Sequence, residues 1–192
     1  MPLHWNLAAA LCLVYLGFVA AGQKNLLKVG PALLLAFAVL PAGFTATAAF
    51  VACAAGDAFL LSKDRYFLHG LAAFLLGHLL FVVDFALRAQ SQPPLPLAAL
   101  MVLAAGGVLW RILPSLSGVL RIAVPVYAFA LGAMVVWAGA VSSLAMAGAV
   151  IFVVSDSVLA LNRFARPLQG AEMIVMTTYY AALLTISAAL IL

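Results

Sequence analysis

Three aspartates, Asp57, Asp84 and Asp156, stand within long apolar runs, and chemistry is to be sought first among them. An Asp at the centre of a membrane-spanning helix costs about 2.5 to 3.5 kcal/mol on insertion scales. Three would cost roughly 8 to 10 kcal/mol at the midplane, an upper figure comparable with the stability of a typical domain, about 5 to 15 kcal/mol. Residues kept at that cost line a site or proton path, or join helices by hydrogen bonds or salt bridges. Asp57 precedes Lys63 by six residues and Asp156 precedes Arg163 by seven, which puts both carboxyls about 9 to 10 Å below a basic anchor at helical rise. If the two helices pack together, the acids face a common cavity at one depth, where mutual repulsion leaves one protonated beside an ionised partner. Asp84 precedes Arg88 by four residues and reads as an i,i+4 ion pair at a helix end.

Histidines and tyrosines supply the other candidates. His69 and His78 are nine residues apart, about 900° of helical rotation, and so lie on opposite faces. With His4 near the start of the chain, no three-histidine zinc site forms; the site calls for neither a metal nor another cofactor. His69 reads as interfacial, and His78, near mid-helix, as either an interhelical hydrogen-bond former or a site residue. Tyr127 and the Tyr179-Tyr180 pair lie deeper than an interfacial aromatic belt, so their hydroxyls need partners. Adjacent residues diverge by about 100°, so one of Tyr179 and Tyr180 faces the cavity, not both. No Gly-x-Ser-x-Gly, Walker loop, His-Glu-x-x-His or dinucleotide fingerprint occurs, so an acid-base site is what remains.

The elements that position these groups follow from composition. The 192 residues are 68% hydrophobic and 7% charged, with a mean hydropathy of +1.27, against about 25% charged in soluble domains. The chain is therefore expected to be an all-α, multi-pass integral membrane protein, a single transmembrane domain over 1–192. Eight spans at about 20 residues each leave no room for a soluble enzyme domain or nucleic-acid reader. Apolar runs bounded by charge, Gly and Pro give helices near 4–21, 26–40, 43–62, 66–88, 95–112, 118–138, 142–162 and 170–191. The N-terminal run lacks a positive leader region and reads as the first span rather than a signal peptide. The uncharged stretch 29–62 would be about 51 Å long as one helix, beyond a core of about 30 Å, so it must reverse, at Leu40-Pro41-Ala42-Gly43. The stretch 122–155 poses the same problem and turns near Gly139 to Ser143. Cys12 and Cys53 lie inside apolar runs and read as small buried hydrophobes.

The net charge of +4 reports topology rather than a nucleic-acid partner. Lys24 and Lys28, Lys63 and Arg65, Arg111 and Arg121, and Arg163 and Arg166 fall at the first, third, fifth and seventh connections, and Arg88 alone elsewhere. By the positive-inside rule the odd connections are cytoplasmic and both termini are not. In a bacterium this membrane would be the inner one. The segments Gly56-Asp57 to Lys63 and Ser155-Asp156 to Arg163 match in pattern. That match reads either as two parallel four-helix repeats or as coincidence between two Leu-rich helices.

The chain also resembles the YhhN family of membrane proteins, whose characterised members are lysoplasmalogenases. The resemblance rests on Gly56-Asp57-Ala58-Phe59-Leu60, the Gly70, Phe74 and His78 spacing, Tyr127 followed by Met134 and Ala138, Ser155-Asp156 with Leu159 to Phe164, and Thr178-Tyr179-Tyr180. It implies a hydrolase that cleaves the vinyl ether of a 1-alkenyl lysophospholipid, releasing a fatty aldehyde and a glycerophospho head group. By position it implies Asp57 and Asp156 as catalytic residues, with Lys28, His78, Tyr127, Asn162, Arg163, Tyr179 and Tyr180 in support. One Asp would donate a proton to the alkenyl carbon and the other would stabilise the cation and orient water; which does which stays open. Lys28 and Arg163 would hold the lipid phosphate or serve only as topology anchors. The partners implied are the lysophospholipid and membrane lipid, with no oligomeric state fixed. The rival readings are a small proton-coupled transporter or flippase and a structural membrane protein whose aspartates join helices.

Overall fold

The computed structural model describes residues 3–23, 25–62 and 65–192. Lys24 and Lys63, two of the residues behind the expected topology, lie outside the described residues. The described chain is helical, with no strand: α1 (Leu3–Ala20), α2 (Gly30–Ala38), α3 (Phe44–Leu60), α4 (Phe67–Arg88), α5 (Leu95–Ile112), α6 (Leu120–Val141), α7 (Ser143–Phe164) and α8 (Ala171–Ile191). Among the described residues, six helices are long and apolar enough to cross a membrane, and the 26–38 and 44–60 segments are shorter apolar helices. The chain is a multi-pass integral membrane protein.

Helix bounds expected from sequence agree within a few residues except at 26–40. That segment opens as a 3-10 turn (Leu26–Val29), continues as α2 and stops at Ala38. Its start is fixed by Asn25, whose Oδ1 accepts from the Leu27 N–H at 3.1 Å, and by Pro31 in the first turn of α2, where a missing N–H costs nothing. The reversal at residues 40–43 is a 3-10 turn closed by Gly43 at φ 133°, a conformation L side chains rarely adopt. Its polar backbone lies among apolar helices and needs a partner. Arg88 provides it, donating from Nη2 to the Ala42 carbonyl and from Nε to Asp84 Oδ2 at 2.7 Å. The Thr45 hydroxyl donates to the other Asp84 oxygen at 2.6 Å. The i,i+4 pair anticipated at Asp84 therefore exists and also clamps the α2–α3 turn.

The second reversal uses a cap rather than a breaker. Ser142 is extended, and its hydroxyl accepts from the Ala145 N–H at 3.1 Å, which starts α7 with a single residue between it and the end of α6. At the opposite end of the sequence, the Trp5 indole donates to Ser187 Oγ at 2.9 Å, joining α1 to α8.

The most extensive packing is between α3 and α4 and between α7 and α8, and α4 also lies along α6. Small residues permit it, as is general for helices in membranes. A Cβ added at Gly148 would fall 2.7 Å from the Ile186 side chain and 3.0 Å from its backbone nitrogen. At Gly77 it would meet Cys53 Sγ at 3.1 Å and the Ala49 carbonyl at 3.3 Å. Cys12 and Cys53 are buried and free. Helix α5 is different: it packs on α6 and α7, and outward residues such as Leu103 and Trp110 are strongly exposed.

Gly148→Leu is expected to separate α7 from α8 and lower stability by about 1 to 3 kcal/mol, the usual range for overpacking. Thermal unfolding of the purified protein in detergent would measure this, with Gly107→Leu on the open face of α5 as a control that leaves the midpoint nearly unchanged.

Candidate active site

Asp57 lies in the last turn of α3 and is 1% exposed. Its Oδ1 is 3.1 Å from the Lys28 ammonium, and its Oδ2 accepts from the Tyr179 hydroxyl at 2.7 Å. Lys28, expected at the surface as a phosphate holder, instead turns inward from the 3-10 turn before α2. Tyr180, the next residue of α8, donates to the Lys28 carbonyl at 3.2 Å. The two adjacent tyrosines diverge as helical geometry requires: Tyr179 holds the acid and Tyr180 the backbone carrying the base.

Asp156, on α7, has a second set of partners. The Tyr127 hydroxyl of α6 donates to its Oδ2, and His78 Nε2 of α4 stands 4.0 Å from the same oxygen. His78 is fully buried, and neither ring nitrogen has a hydrogen-bond partner among the described residues. Its ring is held edge-on by Tyr127 at 5.0 Å and by Phe152 at 4.7 Å between centroids. Phe152 in turn meets Tyr179 at 5.5 Å. Contacting rings therefore link one acid's surroundings to the other's.

An apolar crevice of about 940 Å³, its open side included, lies between α4, α5, α6 and α7. Asp156, Tyr127, Ser157 and Arg163 are on its wall, but Asp57 is not among the lining residues. The expectation that both acids face one cavity therefore needs correction. The Asp156 side chain retains 10% exposure and that of Asp57 1%, because Lys28 and Tyr179 enclose Asp57. The Arg163 guanidinium lies 4.7 Å over the Phe67 ring. Asn162 is committed elsewhere: its Oδ1 accepts from the Leu168 N–H at 2.8 Å and fixes the α7–α8 connection. His69 packs with Phe59 and Tyr66, and His4 lies beside Phe37. No group of three or more His, Cys, Asp or Glu residues able to hold a metal occurs among the described residues.

Sequence reasoning missed the Lys28–Asp57 pair and the packing of two phenylalanines in the site, Phe152 and Phe74, the latter 5.8 Å from Tyr179 between ring centroids. The signals were present. Lys28 precedes Asp57 by 29 residues and Tyr127 precedes Asp156 by the same 29. Phe152 and Phe74 stand four residues before Asp156 and His78, on the same helical faces.

Comparison with known proteins gives one consistent result. The YhhN family profile matches residues 23–190. Lysoplasmalogenase TMEM86B of Sus scrofa is 42% identical over 144 residues, covering 72% of this chain and 60% of the relative. The Homo sapiens TMEM86B lysoplasmalogenase is 43% identical, over 73% of this chain and 61% of its own. Lysoplasmalogenase TMEM86A of Bos taurus is 34% identical, over 70% and 60%. The chain spans about three fifths of the length of these relatives. No solved structure matches it.

Removing one partner of a buried ion pair typically costs about 3 to 5 kcal/mol, since it strands the other charge. Lys28→Met is expected to destabilise the protein on that scale, and the double variant Lys28→Met/Asp57→Asn to recover most of the loss. Unfolding midpoints in detergent would show it; a double variant no more stable than Lys28→Met would mean that the pair does not hold the fold.

Proposed function

Because the chain belongs to the YhhN family, we propose that it is a lysoplasmalogenase-like hydrolase, cleaving the vinyl ether of a 1-alkenyl lysophospholipid with Asp156 as the general acid. The observation that carries this reading is that Asp156, with Tyr127 and His78 beside it, opens on an apolar crevice between helices. The named activity of the relatives, matched over three fifths of their length, supports it.

The chemistry asks for a proton donor in a dry, chain-shaped site. Protonation of the outer alkenyl carbon by the Asp156 carboxyl converts the vinyl ether into an oxocarbenium ion. Water adds to the carbon bearing oxygen and gives up a proton to the Asp156 carboxylate, as paired acid and base steps do in glycoside hydrolysis. The resulting hemiacetal breaks its bond to the glycerol oxygen, which leaves protonated, and the chain departs as an aldehyde. The overall balance is one water consumed per ether cleaved. His78, 4.0 Å from Asp156 and with no hydrogen-bond partner for either ring nitrogen among the described residues, holds that water. Tyr127 fixes the carboxyl. Asp57, enclosed with Lys28 and Tyr179, is a positioning group whose ion pair sets the field around Asp156.

The same reading covers topology. Eight crossings place the odd connections, with Arg111, Arg121, Arg163 and Arg166, on the cytoplasmic side, both termini opposite, and residues 1–192 in one transmembrane domain. Helices α1 to α4 and α5 to α8 act as parallel repeats, supported by matched packing of α3 on α4 and α7 on α8 and by the repeated 29-residue spacing. If the source is bacterial, a helical chain belongs in the inner membrane, since outer-membrane spans are barrels.

Purified protein in detergent, given alkenyl lysophosphatidylethanolamine, is expected to release aldehyde. Asp156→Asn should lower kcat by about 10² to 10⁴, the worth of a general acid, with an unchanged unfolding midpoint, whereas Asp57→Asn should lose stability as well as activity. Full hydrolysis by Asp156→Asn would remove that residue from the role of acid. Absence of product in detergent, together with proton-linked flux in liposomes, would make the protein a transporter instead.

A further inference from the structure

The crevice has more shape than the proton transfer requires. On α5 its wall is the stripe Met101, Ala105, Val108 and Ile112, one helical face repeating at intervals of three and four residues and running about 16 Å along the axis. One end is basic. Arg163 lines the crevice there, and Arg111 and Arg166 line the adjoining hollow. From Arg163, Asp156 lies about 10 Å deeper along α7. The other end is apolar and narrow: Gly132, five residues beyond Tyr127 on α6, faces Met101, and a Cβ added there would stand 3.4 Å from the Met101 Cβ. Consecutive helices α4 and α5 both line the crevice, yet α5 packs chiefly on α6 and α7, and α4 on α3 and α6.

We propose that this crevice seats a single lipid chain that enters from the bilayer between α4 and α5, with the head-group phosphate at the arginine end, and that Ala105 and Gly132 set the length of chain accepted. Charge complementarity fixes the orientation: phosphate at the arginines, the first chain atoms beside Asp156, and the chain directed past Ala105 toward Gly132. Side chains larger than Ala or Gly at these two positions would occupy the volume the chain needs. The proposal rests on the reading of Asp156 as the acid for its enzymatic consequence, but the seat itself is testable without turnover.

The first experiment uses a saturated lysophosphatidylcholine carrying a diazirine near the end of its chain. This probe has no vinyl ether to cleave. Photolysis in detergent is expected to label peptides within 101–112 and 124–132, and Ala105→Phe and Gly132→Leu should each reduce that labelling about tenfold, the discrimination a few methylenes provide in an apolar pocket. Labelling spread over the outer faces of the bundle and indifferent to both variants would overturn the seat. The second experiment compares kcat/KM for alkenyl lysophospholipids of short and long chain. Both variants should lower kcat/KM for the long substrate about tenfold or more relative to the short one; an unchanged ratio in active variants would overturn the length-setting role. Ala105 is on the least packed helix, so Ala105→Phe keeps the test open if Gly132→Leu misfolds. Specific labelling with no hydrolysis of any chain length would sink the enzymatic reading and leave the lipid seat standing.

Discussion

Within hydrocarbon no water is at hand to solvate a carboxylate, so each aspartate must draw its partners from other helices, and those partners then bind the helices together. Asp57 draws Lys28 from the turn before α2 and Tyr179 from α8. Asp84 draws Thr45 and Arg88, and through Arg88 the loose carbonyl of the α2–α3 turn. Asp156 draws Tyr127 from α6 and lies near His78 of α4. The residues most costly to place in a membrane are thus the ones that specify which helices meet.

The segments around Asp57 and Asp156 solve one problem in two ways. At the same sequence distance from the acid, one supplies a cation and the other a phenol. Lys28 and Tyr179 enclose Asp57 until almost none of it is exposed, and the result is a structural charge pair. Tyr127 and His78 leave Asp156 on the wall of the crevice.

Helix α5 leaves a crevice open inside a small bundle. A helix packed tightly against α4 as well as α6 and α7 would bury more surface but fill the crevice. Its inward stripe of small and medium residues gives up packing for volume, consistent with functional regions being drawn from the less stable parts of a fold.

Sequence alone determined a good deal, because it rests on physics that acts locally. Charge scarcity required a membrane fold. Span length required reversals near 40 and 142, and i,i+4 spacing paired Asp84 with Arg88. The divergence of Tyr179 and Tyr180 followed from a 100° turn per residue. What sequence could not decide was which face met which. Lys28 looked like a surface cation until the 3-10 turn aimed it at Asp57, and Asn162 like a ligand residue until its carbonyl proved tied to Leu168. The separation of the two acids into an enclosed pair and an open one was a matter of contacts between helices far apart in the chain. Local rules carry no information about those contacts; only the assembled bundle, where every buried polar atom has found or lacks its partner, sets them.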